Sequence, residues 1–311
     1  MILILAADDD VHARRVQQEL STIGAQSRIL DLAHLGTKAA ALSLRPAKRA
    51  VVRDPHGVVD LDAVTLVWRR RLNEPALSGM SEPTRSFVLR EWRHAWTAMM
   101  ETAPVVVNGP AQEALATKTA QLASAERCGL RTPETLITSD VDAAEDFIER
   151  HGGQVVHKAS TAPSHRAVDT RAWLETQRQA LRCSLPLSPI VLQELIRGRG
   201  DLRVTVAGDF VSAAFLAQGE VIDSRLNFLA EHVPYSLSGD DAAKMLAVIK
   251  NLGLVMATAD FKVTHDNELV FFEVNPQGQF LYVEAETGQP LSAGVARALA
   301  DLAAVDWHPV R

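Results

Sequence analysis

Near the end of the chain, the strand-like run Phe271-Phe-Glu-Val-Asn-Pro sets two oxygen-bearing side chains, Glu273 and Asn275, into apolar sequence. Residues two apart in a strand project to one face, so the two belong together. Thirteen residues before Glu273, a second apolar stretch, Leu254-Val-Met-Ala-Thr-Ala-Asp, ends in Asp260. If the two stretches pair as antiparallel neighbours, Asp260 lies beside Glu273 and Asn275. A lone carboxylate in a strand is ordinarily a solvated strand end. Burying this set among apolar residues without a cation would be costly. Two carboxylates and an amide oxygen are also the hard donors that hold Mg2+ against substrate phosphates. The expectation is a sheet that carries a metal.

Four cations sit in or beside predicted elements: Lys118, Lys158, Arg203 and Arg225. Taken singly, each is more often a solvated surface charge. Next to a magnesium site they supply what phosphoryl transfer needs, point charges on phosphates and fork donors for the moving group. Between them, Val191-Leu-Gln-Glu-Leu-Ile runs into a turn at Gly198–Gly200. Such a segment can offer backbone groups to an adenine edge, and Glu194 or Asp201 to a ribose.

The rest of the chain frames these residues. Its 311 residues suit about two domains. Met1–Ala7 is apolar throughout, as in a strand buried on both faces, and Asp8–Asp10 can cap a following helix that ends at Gly24. Further strands are expected at Ser27–Leu32 and Val64–Trp68, a hairpin at Ala50–Arg53 and Gly57–Leu61, a helix over Glu82–Glu101 and a strand at Val105–Val107. This is a front α/β domain over residues 1–110, closed by Asn108-Gly-Pro. Two α+β pieces follow, over 111–188 and 189–311, divided at the Leu185-Pro-Leu-Ser-Pro linker. The second has strands at Asp201–Val206, Phe210–Gln218 and Ser224–Phe228, and helices at Asp240–Leu252 and Ser292–Val305.

Composition excludes several classes. A net charge of −6 argues against a general nucleic-acid binder. The charge is uneven, since residues 1–100 hold 14 Lys+Arg and 11 Asp+Glu (+3), which leaves 18 and 27 (−9) for the remainder. No run approaches the length of a membrane helix, and the apolar start is too short for an export signal. Cys128 and Cys183 form no zinc or disulfide pattern. The chain is expected to be cytoplasmic, with no nucleic-acid or membrane partner.

In order along the chain, Lys118, Lys158, Gln193-Glu194-Leu195-Ile196, Asp201-Leu-Arg203 and Asp260…Glu273-Val-Asn275 resemble the ATP-grasp ligases. Other segments narrow the resemblance: Asp8-Asp9-Asp10, Trp68-Arg69-Arg70, Asn108-Gly-Pro, Lys118-Thr-Ala-Gln121-Leu, Gly129-Leu-Arg-Thr-Pro-Glu-Thr and Pro276-Gln-Gly-Gln-Phe-Leu…Glu284…Thr287-Gly. They look like the microviridin-type peptide ligases, the graspetide synthetases, over nearly the whole chain. The Trp-Arg-Arg and Asn-Pro-Gln-Gly-Gln segments set these apart from RimK-type glutamate ligases.

The resemblance implies an α/β pre-ATP-grasp domain followed by central and C-terminal ATP-grasp lobes with ATP between them. It implies that Lys118 and Lys158 contact the phosphates, that Gln193 to Ile196 hold the adenine and that Asp201 holds the ribose. Asp260, Glu273 and Asn275 would bind two Mg2+ ions. Arg203 would stabilise the γ-phosphoryl group on its way to a substrate carboxylate, and Arg225 the acyl phosphate. The implied substrate is a ribosomally made precursor peptide with acidic core residues, closed by ester or amide links, and the implied assembly is a homodimer. Arg69, Arg70 and Glu284 are candidates for touching the peptide, although the arginines could equally form structural ion pairs. In one respect the chain departs from many ATP-grasp proteins: Lys158-Ala-Ser-Thr-Ala-Pro-Ser-His-Arg lacks the glycines of a phosphate loop. Ser160, Thr161, Ser164 or Arg166 would have to substitute. Two other functions stay open, an intermolecular amino-acid ligase of RimK type and an ATP-binding peptide scaffold without turnover.

Overall fold

The computed structural model describes residues 1–33, 39–43, 49–54, 57–72, 75, 77–158, 170–217 and 231–304. The chain opens with β1 (Ile2–Leu5), α1 (Val11–Thr22), β2 (Ser27–Leu30), β3 (Ala39–Ser43), β4 (Arg49–Asp54), β5 (Gly57–Asp60), β6 (Leu66–Arg69), α2 (Glu82–Met100) and β7 (Val105–Val107). All four residues of β1 are buried, as its unbroken apolar sequence requires. It lies inside a parallel sheet of order β2-β1-β6-β7. Asp10 caps α1 by accepting the Ala13 N–H at 2.9 Å. The expected hairpin is present as β4 and β5, and β3 extends it to three antiparallel strands.

The chain continues through α3 (Pro110–Leu115), α4 (Lys118–Arg127), β8 (Thr135–Thr138), α5 (Val141–Arg150), β9 (Val155–Lys158), β10 (Arg171–Ala172), α6 (Arg178–Ser184) and β11 (Ile190–Glu194). Strands β8 to β11 form an antiparallel sheet of order β10-β9-β11-β8. Strand β11 fills its middle, so this lobe runs on to Glu194, beyond the 188 end read from the Pro-Leu-Ser-Pro linker. A linker composition marks a turn and cannot say which sheet the next strand joins.

The last part holds β12 (Gly200–Ala207), β13 (Phe210–Ala217), β14 (His232–Tyr235), α7 (Gly239–Asn251), β15 (Met256–Val263), β16 (Leu269–Asn275), α8 (Leu281–Thr287) and α9 (Leu291–Ala304). Its five strands are antiparallel in the order β14-β13-β12-β15-β16. Along β12, buried Leu202, Val204 and Val206 alternate with Asp201, Arg203 and Thr205. The apolar set faces a core under α4 and α7 with Met245, Val248, Phe261 and Phe271. At one end of the other face, Ala207, Ala214 and Met256 join a core with Phe280, Val283 and Val295 of the α8–α9 region and with Ile4, Val16 and Trp68 of the front domain. The front domain and the last sheet therefore share one hydrophobic core. The central lobe has a separate one, around Phe147, Ile148, Val155, Trp173, Leu185 and Leu192. Trp96, Met99 and Met100 of α2 close the far side of the front sheet. Among the described residues no helix is long and apolar enough to cross a membrane.

Candidate active site

Register brings the expected metal donors together. In the five-stranded sheet Arg203 lies opposite Asp260, and Asp260 opposite Glu273. Directly paired residues share a face, so the three form one row, with Asn275 in the next row beside Thr258. A bulge makes this possible. Phe261 pairs with Phe271 whereas Asp260 pairs with Glu273, which leaves Phe272 as an extra residue in β16. Phe271 and Val274 both point into the core beneath the sheet. Without the extra residue, simple alternation from Phe271 would send Glu273 and Asn275 into that core as well.

The row is a lattice of opposite charges. Arg203 donates through Nη1 to Asp260 Oδ1 at 2.7 Å, and through Nη2 to Thr258 Oγ1 at 3.1 Å and the Gln279 carbonyl at 3.2 Å. Burial pushes the Asp260 carboxyl up, Arg203 opposes this, and Glu273 and Asp201 add to the rise. Lys118, at the start of α4, reaches Glu273 Oε2 with its Nζ at 2.7 Å. Lys158 ends β9 on the opposing lobe. Burial, reinforced by neighbouring Lys118, lowers its pKa to about 8 against the pull of Glu273. Two adjacent ammonium groups, one of them desolvated, call for an anion, and phosphate oxygens meet that need.

The donor chemistry also fits a divalent cation. Asp260, Glu273 and the Asn275 amide offer only oxygens, and Asn275 Oδ1 is held by the Gln277 N–H at 2.9 Å. No group of three His, Cys, Asp or Glu suited to a metal occurs among the described residues. The protein thus provides two carboxylates and an amide, and phosphates would complete the coordination.

The residues expected to hold the adenine lie at the end of β11 and just beyond it. Gln193 is buried, its amide nitrogen donating to Thr135 Oγ1 at 2.8 Å. The Glu194 carboxylate is occupied: Arg131 Nη2 reaches Oε1 at 3.2 Å and the Glu134 N–H reaches Oε2 at 3.3 Å. The Leu195 N–H is bonded to the Gln154 carbonyl at 3.0 Å and Ile196 is buried. Asp201 is ion-paired with buried Lys262. Arg225, together with Ser160, Thr161, Ser164, Arg166 and the strand expected at Ser224–Phe228, lies outside the described residues.

The three candidates for peptide contact are occupied elsewhere. Arg69 pairs with Glu113. Arg70 is 2% exposed, with its Nε 3.5 Å from Asp10 Oδ2 and Nη1 donating to the Gly278 carbonyl at 3.3 Å. Glu284 accepts the Ser292 hydroxyl at 2.9 Å and the Ser292 N–H at the start of α9, and lies 3.4 Å from Arg15 Nε. These side chains tie the front domain to the last sheet. Their partners are 44 or more residues away or lie across a turn, which is why sequence patterning did not reveal them. The Trp-Arg-Arg and Pro-Gln-Gly-Gln segments, both singled out in the sequence, meet here: Gln277 Nε2 donates to the Arg69 carbonyl at 3.1 Å. Gly278 lets this turn lie against β15, because a Cβ on it would lie 1.8 Å from Thr258 Oγ1. Gln121 serves as a backbone mimic, accepting the Val274 N–H at 2.9 Å and donating to its carbonyl at 3.1 Å. Asn108, at φ 52°, spans Val255, Met256 and Pro276 in the same way.

The structure adds residues that the sequence reading missed. Tyr282 of α8 stacks over Arg203, with the guanidinium carbon 5.7 Å from its ring centroid. His232 of β14 meets Tyr282 edge-on at 5.3 Å and bonds through Nδ1 to Glu286 Oε2 at 2.7 Å. The i, i+4 pair Tyr282 and Glu286, directly after the Pro-Gln-Gly-Gln turn, was the one local signal available.

Comparison with known proteins agrees with this geometry. Residues 115–299 match the model of the RimK-like ATP-grasp domain family. Among solved structures, the chain is similar to the macrocyclase MdnC from Microcystis aeruginosa MRC, bound to precursor peptide MdnA (TM-score 0.87, 23% identity, 96% of this chain and 98% of that one). It is also similar to a RiPP-associated ATP-grasp ligase of Chryseobacterium gregarium in complex with ADP and a leader and core peptide (TM-score 0.84, 21% identity, 96% of each chain). A third is the macrocyclase MdnB from Microcystis aeruginosa MRC (TM-score 0.80, 25% identity, 96% and 98%). No curated protein matches the chain in sequence.

Proposed function

The chain belongs to the RimK-like ATP-grasp family, and from that premise we propose that it is an ATP-dependent carboxylate ligase acting on a ribosomally made precursor peptide. It activates Asp or Glu side chains of the peptide as acyl phosphates and closes ester or amide links onto hydroxyl or amine groups of the same peptide. The observation that carries this reading is the row Glu273–Asp260–Arg203, with Lys118 paired to Glu273 and Lys158 of the other lobe next to Lys118. In this reading Lys118 and Lys158 neutralise the phosphates. The hinge from Gln193 to Ile196 presents backbone to the adenine, because the Gln193 and Glu194 side chains are already engaged. Arg203 holds the γ-phosphoryl group as it passes to the carboxylate, with Arg225 at the acyl phosphate. Asp260, Glu273 and Asn275 would hold two Mg2+ ions, which supply charge neutralisation at the phosphates. Positioning and charge stabilisation carry the reaction, with no protein nucleophile. The peptide substrate is supported by the solved complexes of MdnC and of the Chryseobacterium ligase. An acidic core and a homodimer are part of the same reading.

The test is intact mass spectrometry of the peptide encoded beside the gene, incubated with ATP, Mg2+ and the enzyme. Losses of one water per ring are expected, and hydroxide lability separates ester from amide. Mass gain from added amino acids would favour intermolecular ligation, the reading that the RimK-like family match keeps in view. Glu273→Ala should abolish turnover while leaving the fold intact. Turnover unchanged in that variant would remove the metal assignment.

A further inference from the structure

Ring closure requires the attacking group to lose a proton. A Ser or Thr hydroxyl is a weak nucleophile until a base takes it, and a Lys amine is protonated at neutral pH. Asp260 and Glu273 are committed to cations in the site row. One further titratable group points to the same part of the sheet. His232 pairs with Leu216, and Leu216 with Asp201, two residues from Arg203, so the imidazole is on the face that carries Arg203 and Asp260. Glu286 Oε2 accepts from both its backbone N–H, at 2.8 Å, and its Nδ1, at 2.7 Å. Burial works against the charge of Glu286, yet the two bonds from His232 outweigh it and hold that carboxyl below its ordinary range. A carboxylate at Nδ1 favours a proton on that nitrogen, so that in the neutral ring the lone pair lies on Nε2.

The other groups around the ring are consistent with this role. Tyr282, between His232 and Arg203, has its phenol pushed up by burial, with Arg203 opposing and Asp260 and Glu286 adding to the rise. It keeps its proton and cannot serve as the base. Strand β13, which pairs with β14, carries no charged residue.

Resting on the ligase reading above, we propose that His232, oriented by Glu286, is the base that accepts the proton of the attacking hydroxyl or amine. As the nucleophile's oxygen or nitrogen bonds to the acyl carbon, His232 Nε2 takes its proton. The bond from that carbon to the phosphate oxygen then breaks, and its electron pair leaves with the phosphate. The phosphate takes up a proton and departs as hydrogenphosphate, while His232 returns to neutral by releasing the one it held. Glu286 is a positioning residue in this scheme.

The test separates the two halves of the reaction. The full chain, ATP, Mg2+ and the peptide encoded beside the gene are incubated with hydroxylamine, which traps acyl phosphate as hydroxamate. A parallel incubation without it reads ring closure as loss of water. In His232→Gln, hydroxamate yield is expected to stay near the wild-type level while ring closure slows about a hundredfold. The limb of the wild-type pH profile that rises as an imidazole loses its proton disappears in this variant. Glu286→Gln falls between the two. Ring closure at the wild-type rate in His232→Gln overturns the proposal. Equal loss of hydroxamate and rings also overturns it, because that marks a structural role. Wild-type enzyme yielding neither product overturns the ligase reading first and this one with it.

Discussion

The five-stranded sheet meets its two neighbours in different ways. Toward the front domain it shares a continuous hydrophobic core, and the seam is stitched by buried polar groups: Arg70 to Asp10 and Gly278, and His12 Nε2 to the N–H groups of Phe280 and Leu281 at 3.2 and 3.3 Å. Toward the central lobe the described contacts are largely polar and half-exposed. Arg131 is their centre, paired with Glu194 and Glu268 while its carbonyl accepts the Phe271 N–H at 2.8 Å. Helix α4, although it lies within the 111–188 segment read as the central piece, packs on β16 through Leu122 and Ala125, so Lys118 belongs with the sheet that carries Asp260, Glu273 and Asn275. One side of the sheet is joined through a continuous core and the other through polar contacts. On the proposed function, this suits a site that would hold its charged row in place while Lys158, on the other lobe, meets the phosphates.

The core-joined side carries the largest expected effect. Arg70→Ala strips the counter-charge from little-exposed Asp10 and should cost about 3–5 kcal/mol in a denaturant melt. A cost no larger than that of Arg131→Ala would mean the two seams do not differ in this way. Acid should act on the same seam. Burial, together with Arg70 and Arg71 and against Asp10, lowers the pKa of His12 from 6.5 to about 4. The unfolded chain therefore takes up this proton first. Stability from this group is full above pH 6.5 and is lost as pH falls toward 4, by up to about 3 kcal/mol. Urea midpoints measured across that window should slope in the wild type and lose this slope in His12→Gln.

On the polar side the effects are smaller. Lys158, with its pKa near 8 in the free protein, would be charged beside phosphates if it holds them as proposed. Above pH 8 the affinity for nucleotide should weaken by up to tenfold per pH unit, about 1.4 kcal/mol, and stay flat below. Calorimetry at pH 8 in buffers of different ionisation enthalpy should show proton uptake on ATP binding, and none in Lys158→Met. Arg131→Ala should change global stability by less than about 1 kcal/mol, because its ion pairs face solvent. A larger loss in thermal melts would show the central lobe to be more firmly attached than its contacts suggest.

Much of this architecture was readable along the chain, for reasons of period. The all-apolar β1, the alternation in β12 and the Asn-Gly-Pro break each report a local choice of backbone, and the spacing of Glu273 and Asn275 reports a shared face. What was hidden is pairing across distance. Nothing near residue 190 shows that β11 enters the middle of the central sheet. Arg70, Asn108, Gln121 and Glu284 have polar side chains whose partners only the fold supplies. The four-residue β14 and seven-residue α8 are too short to show a period, so His232, Tyr282 and Glu286 carried no combined signal.

The extra residue at Phe272 has a meaning beyond geometry. Strand β16 serves two masters, an oily interior up to Phe271 and a charged cleft from Glu273 on, and it changes allegiance by counting one more than its partner. Parity, unlike size or polarity, has no intermediate values. Exchanging the side chain at 272 leaves the count intact, whereas removing the residue would exchange the two faces for everything downstream. In this strand, a deletion of one residue is a more radical edit than any substitution.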